Sequence, residues 1–137
     1  MPLEIRVKGS EVKTGLMTAR EILQVVGTDI FRNYFDTGIW VKATMREIEK
    51  DPCLVALISD VRFPEEVDII NENNGYIFQL TRDVCKIDAH ISEKALNNYD
   101  FNRIGNRYFI IDNKDMSIEK QNIAVIPYFN QIFKEMM

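Results

Sequence analysis

The chain has 137 residues but only one histidine, two cysteines and one tryptophan, with few glycines and prolines. So few His and Cys side chains exclude a structural zinc site, which normally takes four such ligands. Cys53 and Cys85 lie far apart and read as reduced, buried thiols of an intracellular protein rather than a disulfide. Neither belongs to a Cys/His/Asp arrangement of the kind covalent catalysis uses. His90, in the polar stretch DAHISE, has no nucleophile beside it and reads as a solvated or capping residue. A basic excess is also lacking. The net charge is -4 and the pI near 5.1, which argues against a nucleic-acid partner. No apolar run reaches the length of a membrane span, and MPLEIRVKGS lacks the hydrophobic centre of a signal peptide. No membrane partner and a cytoplasmic location are therefore expected. With no repeat, low-complexity tract or linker, residues 1–137 are expected to form a single domain.

What is present alternates strands with helices. LEIRVK (3–8) alternates apolar and polar residues, as a strand with one buried face does. Thr18 with Glu21 three residues on makes a capping box, so 19–35 is expected to be helical, broken or tightly packed at Gly27. A second helix is expected over 39–50, stopping at Asp51-Pro52. LVALIS (54–59) shows no alternation, the pattern of a parallel strand covered on both faces. Pro64, Glu65 and Glu66 suit the first turn of a third helix, with Gly75 as its C-cap. YIFQLTR (76–82) and RYFIID (107–112) read as strands, with a short helix around Ser92–Asn97 between them. Ser117 can cap a last helix, which Pro127 is expected to interrupt or restart. The fold class expected is α/β, a three-layer, mostly parallel sheet with flanking helices.

Ligands of parallel sheets sit outside the carboxyl ends of the strands. Asp60 and Arg62 follow the strand expected at 54–59, and Arg82 follows the next one. Two guanidiniums and a carboxylate at one edge can hold a phosphorylated ligand, with Asp60 orienting a magnesium ion through water. A simple Asp60–Arg62 ion pair closing a strand end remains the alternative. In TAREILQVVGTD, Arg20 and Gln24 share a helical face, four residues apart. Gln24, Thr28 and Asp29 have the groups to read a base edge, and Arg20 to hold a phosphate. Trp40 can stack on a base or serve as a packing residue.

In order and spacing, TAREILQVVGTD, WVK (40–42), SDVRFPEEVDII, Gly75, Arg82, HISE (90–93) and IDNKDMSIEK form one pattern. It resembles the bacteriophage- and large-DNA-virus-type deoxynucleoside monophosphate kinase family, from Thr18 to about Lys120. The resemblance implies the C-terminal part of a P-loop kinase fold. It further implies transfer of the γ-phosphoryl group of ATP to a deoxynucleoside monophosphate with Mg2+. By position, Arg20, Gln24, Gly27, Thr28, Asp29, Trp40 and Arg62 belong to the monophosphate pocket. Asp60, Arg62 and Arg82 are the implied catalytic set, flanking the phosphates. No side-chain nucleophile is needed, because phosphoryl transfer asks for positioning and charge neutralisation.

The sequence departs from the family at one point. No G-x-x-x-x-G-K-[ST] loop occurs in it. That loop's amides and lysine cradle the triphosphate, so ATP binding by this chain alone is expected to be severely weakened. In such kinases the strand before the loop is central to the sheet. Residues 3–8, closure of the sheet, or another polypeptide (a protein partner or a second copy) would then have to fill its place. Two functions are expected on this basis. One is a dNMP kinase, whole or as part of a split enzyme; the other is a non-catalytic nucleotide-binding or protein-interaction member.

Overall fold

The computed structural model describes residues 16–82 and 94–137. The strand expected at 3–8, Cys85, His90 and the rest of HISE lie outside those residues. The chain divides into two compact units, Met1–Ile69 and Ile70–Met137.

In the first unit, α1 (Ala19–Gln24) begins at the capping box that the sequence signals. The Glu21 N–H donates to Thr18 Oγ1 at 3.2 Å, and the Thr18 N–H donates to Glu21 Oε2 at 2.9 Å. The helix does not break at Gly27, contrary to expectation. It widens into a π-helix over Val25–Phe35, where the Asp36 N–H still reaches back to the Phe31 carbonyl at 3.3 Å. Val25, Val26, Thr28 and Ile30 are β-branched, which lowers their preference for a standard helix. Asp36 then starts α2 (Ile39–Lys50). Its carboxylate accepts the Gly38 N–H at 2.9 Å and the Lys42 ammonium at 2.7 Å. The Lys42 hydrogen bond, then the Gly38 amide, holds the Asp36 carboxyl below the usual carboxylate range. The second helix ends at Asp51, before Pro52, as read from sequence.

Residues 54–59 do not form a strand. Leu54 and Leu57 are 91% and 81% exposed, the reverse of a doubly covered strand. Apolar composition gives a segment the propensity to pair, but a strand exists only through a hydrogen-bonded neighbour. No described residue pairs with this segment in a sheet. Cys53, expected to be buried, is exposed, because it sits in the turn where its N–H donates to Asp51 Oδ1 at 3.1 Å.

Helix α3 (Pro64–Glu72) starts as the proline and acidic pair signal and runs across the division between the units. Phe63 acts as its cap. The Phe63 carbonyl accepts the N–H groups of Glu66 and Val67 at 3.1 and 3.2 Å. In return the Glu66 carboxylate accepts the N–H groups of Arg62 and Phe63 at 2.8 and 3.1 Å. Val67, fully buried, is the apolar anchor of this helix.

In the second unit α3 ends in a Schellman turn. The Gly75 N–H donates to the Ile70 carbonyl at 2.8 Å and the Asn74 N–H to Asn71 at 3.0 Å. The left-handed residue is Asn74 (φ 61°), not Gly75 as expected. Gly75 is needed for a different reason: a Cβ there would stand 2.4 Å from Ile70 Cγ2. The chain then enters β1 (Ile77–Leu80), paired in parallel with β2 (Tyr108–Ile111) in the register Ile77–Tyr108 to Leu80–Ile111. Residues 94–98 form a turn rather than the short helix expected around Ser92–Asn97. Two tight turns of 3-10 helix follow over Phe101–Arg107, meeting at Gly105 (φ 66°).

Helix α4 (Ile118–Met136) is capped by Ser117, whose Oγ accepts the Lys120 N–H at 3.3 Å, and packs on β2. It runs through Pro127 without the predicted interruption. Proline removes one N–H from the ladder and crowds the carbonyl four residues back, yet the flanking residues of this helix pack on the aromatic face of the sheet. Phe78 lies 5.2 Å from Phe109 and 5.6 Å from Phe129, ring centre to ring centre. The described architecture is α/β, built on a two-stranded parallel sheet.

Candidate functional site

All of the residues read from the sequence as a monophosphate pocket fall in the first unit. Arg20 and Gln24 lie on α1, Arg20 exposed and Gln24 half-buried. Gly27, Thr28 and Asp29 follow on the π-helical run, with Thr28 buried. The wider turn brings the Gly27 carbonyl out to accept the Trp40 indole N–H at 2.8 Å. Trp40 is 46% exposed, its ring 5.5 Å from that of Phe31. The indole thus contacts Phe31 in a tilted arrangement while its N–H ties α2 to the helix that carries Gly27.

Asp60 and Arg62 meet, with Arg62 Nε donating to Asp60 Oδ1 at 2.6 Å. The pair stands in the turn ahead of α3, with side chains 71% and 39% exposed. An ion pair so open to water contributes little stability. The two side chains form the ion pair that the sequence offered as the alternative.

Arg82 lies in the second unit, at the carboxyl end of β1. Its N–H donates to Asn113 Oδ1 at 2.9 Å, and its guanidinium donates to the carbonyls of Asn113, at 2.7 Å, and Met116. Alongside, the Thr81 hydroxyl donates to Asp112 Oδ1 at 2.6 Å, which holds that carboxyl below its usual range. Asn113, 3% exposed, also donates to Gln121 Oε1 at 2.7 Å. The ends of both parallel strands are thus tied into one polar layer.

Three contributors went unread in the sequence. Glu66 was taken only as a charge suited to a helix start, yet it braces the Arg62 amide. Asn113, one polar residue among several in IDNKD, proves to be the buried tie between strand ends. Arg32 had no motif around it, but it lies four residues after Thr28, and that shared helical face was the available signal. It is 7% exposed, with its Cζ 3.4 Å above the centre of the Phe63 ring and its Nη2 2.5 Å from Glu65 Oε2.

The donor groups also bear on a triphosphate. A Cβ at Gly38 or Gly75 would meet packed atoms, and Gly27 is helical. Gly105 (φ 66°) is open, but Asn106 and Arg107 follow it where a phosphate loop carries Lys-Ser or Lys-Thr. No three His, Cys, Asp or Glu side chains converge on a metal position among the described residues either. The described residues therefore do not fit ATP by the loop-and-lysine mode.

A two-stranded parallel sheet flanked by helices, with polar side chains gathered at its strand ends, is an α/β architecture. Residues 6–122 match the deoxynucleotide monophosphate kinase family, and the chain belongs to that family. A putative deoxynucleotide monophosphate kinase of Acanthamoeba polyphaga mimivirus is 32% identical over 108 residues, covering 66% of this chain and 54% of the relative. A deoxynucleoside-5'-monophosphate kinase of Escherichia phage T5 is 40% identical over 58 residues, covering 42% of this chain and 23% of the relative. The chain thus spans about half or less of these relatives. No solved structure matches it. No helix among the described residues is long and apolar enough to cross a membrane.

Proposed function

We propose that this chain supplies the monophosphate-binding side of an ATP:deoxynucleoside monophosphate phosphotransferase. The family match carries the proposal, because its span, residues 6–122, includes every candidate residue from Arg20 to Arg82. Under this assignment Gln24, Thr28 and Asp29 face the base, Trp40 stacks on it, and Arg20 and Arg62 hold the phosphate. Asp60 would orient a water shell around Mg2+, and Arg82 would neutralise charge on the transferred group. Both compact units would then belong to one domain, in the cytoplasm, built as part of a three-layer P-loop kinase sheet. ATP would supply the γ-phosphoryl group, but its triphosphate needs donors that the described residues lack. A polypeptide segment bearing the phosphate loop would bring those donors, and its strand would pair with the exposed segment at 54–59. That segment could come from a protein partner or a second copy.

A second reading is favoured by the missing glycine cradle: a non-catalytic family member that binds the monophosphate or a protein. Calorimetric titration of the purified chain with the four common deoxynucleoside monophosphates and with ATP tests the assignment. Measurable binding of at least one monophosphate and weak ATP binding are expected. Tight ATP binding with no monophosphate bound would overturn it. An ADP-release assay with and without a P-loop-bearing segment separates the two readings: ADP released only in its presence marks a split enzyme.

A further inference from the structure

Arg32 stands outside the residues assigned above, and its environment is costly for a residue of structure alone. Its guanidinium is buried, yet one donor, Nε, has no partner. An orphaned buried donor is expensive, and an apolar side chain of similar volume over Phe63 would usually pack as well or better. A planar cation at this position does something that such a side chain cannot. Its Cζ lies over the Phe63 ring, 3.4 Å from the centre, while Nη2 reaches Glu65 at 2.5 Å in the same pose. Phe63 follows Arg62 directly, and Glu66, next to Glu65, accepts the Arg62 N–H at 2.8 Å. At its other end Arg32 belongs to the π-helical run, one helical turn beyond the buried Thr28. The side chain therefore ties the helix bearing Thr28 and Asp29 to the turn bearing Asp60 and Arg62.

We propose that Arg32 is a positioning residue for monophosphate binding: stacked on Phe63 and paired with Glu65, it sets where the Arg62 guanidinium stands relative to the base-side helix. The proposal rests on the monophosphate pocket argued above. Arg32 need not touch the ligand. Its effect passes through Arg62, and so it concerns the phosphate rather than the nucleoside.

The test is a double-mutant cycle on the full chain, using Arg32→Met, Arg62→Ala and the double variant. The affinity of the best-bound monophosphate is compared with that of its bare deoxynucleoside, well below each variant's melting temperature. Arg32→Met is expected to weaken monophosphate binding about tenfold, a size usual for coupled neighbours, and to leave nucleoside binding nearly unchanged. In the Arg62→Ala background the same change should cost almost nothing further. Arg32→Lys, which keeps the charge but not the flat fork, should fail to restore affinity. Should Arg32→Met fold poorly, Glu65→Gln reports instead. It leaves the half-exposed partner in place with its charge removed, and a several-fold loss confined to the monophosphate is expected. Additive losses in the cycle, or equal losses for both ligands, make Arg32 a structural residue and overturn the proposal. If the unaltered chain binds no monophosphate, the pocket assignment itself fails and takes this inference with it.

Discussion

Asn113 holds Arg82 twice: its side-chain oxygen accepts the Arg82 N–H at 2.9 Å, and its main-chain carbonyl accepts the Arg82 guanidinium at 2.7 Å. The remaining half of the amide donates to Gln121 at 2.7 Å, so one buried side chain joins the ends of both strands to α4. Asn113→Ala strands those partners in a buried place and should lower stability by about 1–3 kcal/mol in urea unfolding. A change within about 0.5 kcal/mol, the scatter of surface substitutions, would mean that water replaces the amide at no cost.

Two glycines predict opposite outcomes. At Gly75 a Cβ would meet Ile70 Cγ2 at 2.4 Å and the Ile70 carbonyl oxygen at 2.9 Å, and backbone cannot give way cheaply. Gly75→Ala should therefore cost about 1–3 kcal/mol, the range of overpacked sites. At Gly27 a Cβ would meet nothing within 4 Å and φ is not positive. Gly27→Ala should accordingly stabilise the helix, by about 0.4–1 kcal/mol. If its bare backbone serves the ligand, the same variant binds monophosphate more weakly. Raised stability with unchanged affinity would remove Gly27 from the pocket.

Local rules carried the sequence a long way. Thr18–Glu21, Pro64 with its acidic neighbours, and Ser117 each mark a helix start by satisfying amide groups within one turn of chain, so the information lies beside the feature. The stretch 54–59 shows where this stops. Its apolar run specifies pairing without specifying a partner, and pairing is a property of two segments. Gly27 misled for a related reason. Glycine permits a break but does not impose one. Arg32 and Asn113 escaped notice because each acts through residues roughly thirty positions away, visible only once the chain is folded.

Asp36 gives a pH prediction. Its carboxyl is held below 3.8 by the Lys42 ammonium first and the Gly38 amide second. A carboxyl depressed in the folded state adds stability above its unfolded value, and that stability fades as pH falls through the folded value. Unfolding midpoints should thus decline below about pH 4, partly through Asp36. In Lys42→Met the Asp36 resonance, followed by carboxyl NMR, should titrate closer to 3.8, with the Gly38 amide keeping part of the depression. An unmoved titration would show that the Lys42 contact does not persist in solution.

Arg62 offers the most direct discrimination between the phosphate role and the ion pair. Its Nε contact to Asp60 is 2.6 Å long, with the Asp60 side chain 71% exposed, so removing it should barely alter stability. A guanidinium–phosphate contact is charge-assisted, and its loss is expected to weaken monophosphate binding by about 10- to 100-fold. The bare nucleoside has no phosphate to lose, so its affinity should stay within about a factor of two in Arg62→Ala. The monophosphate contact should also weaken with added salt in the unaltered chain and lose much of that dependence in the variant. Equal losses for both ligands would identify the Asp60–Arg62 pair as a strut of the turn, with the phosphate held elsewhere.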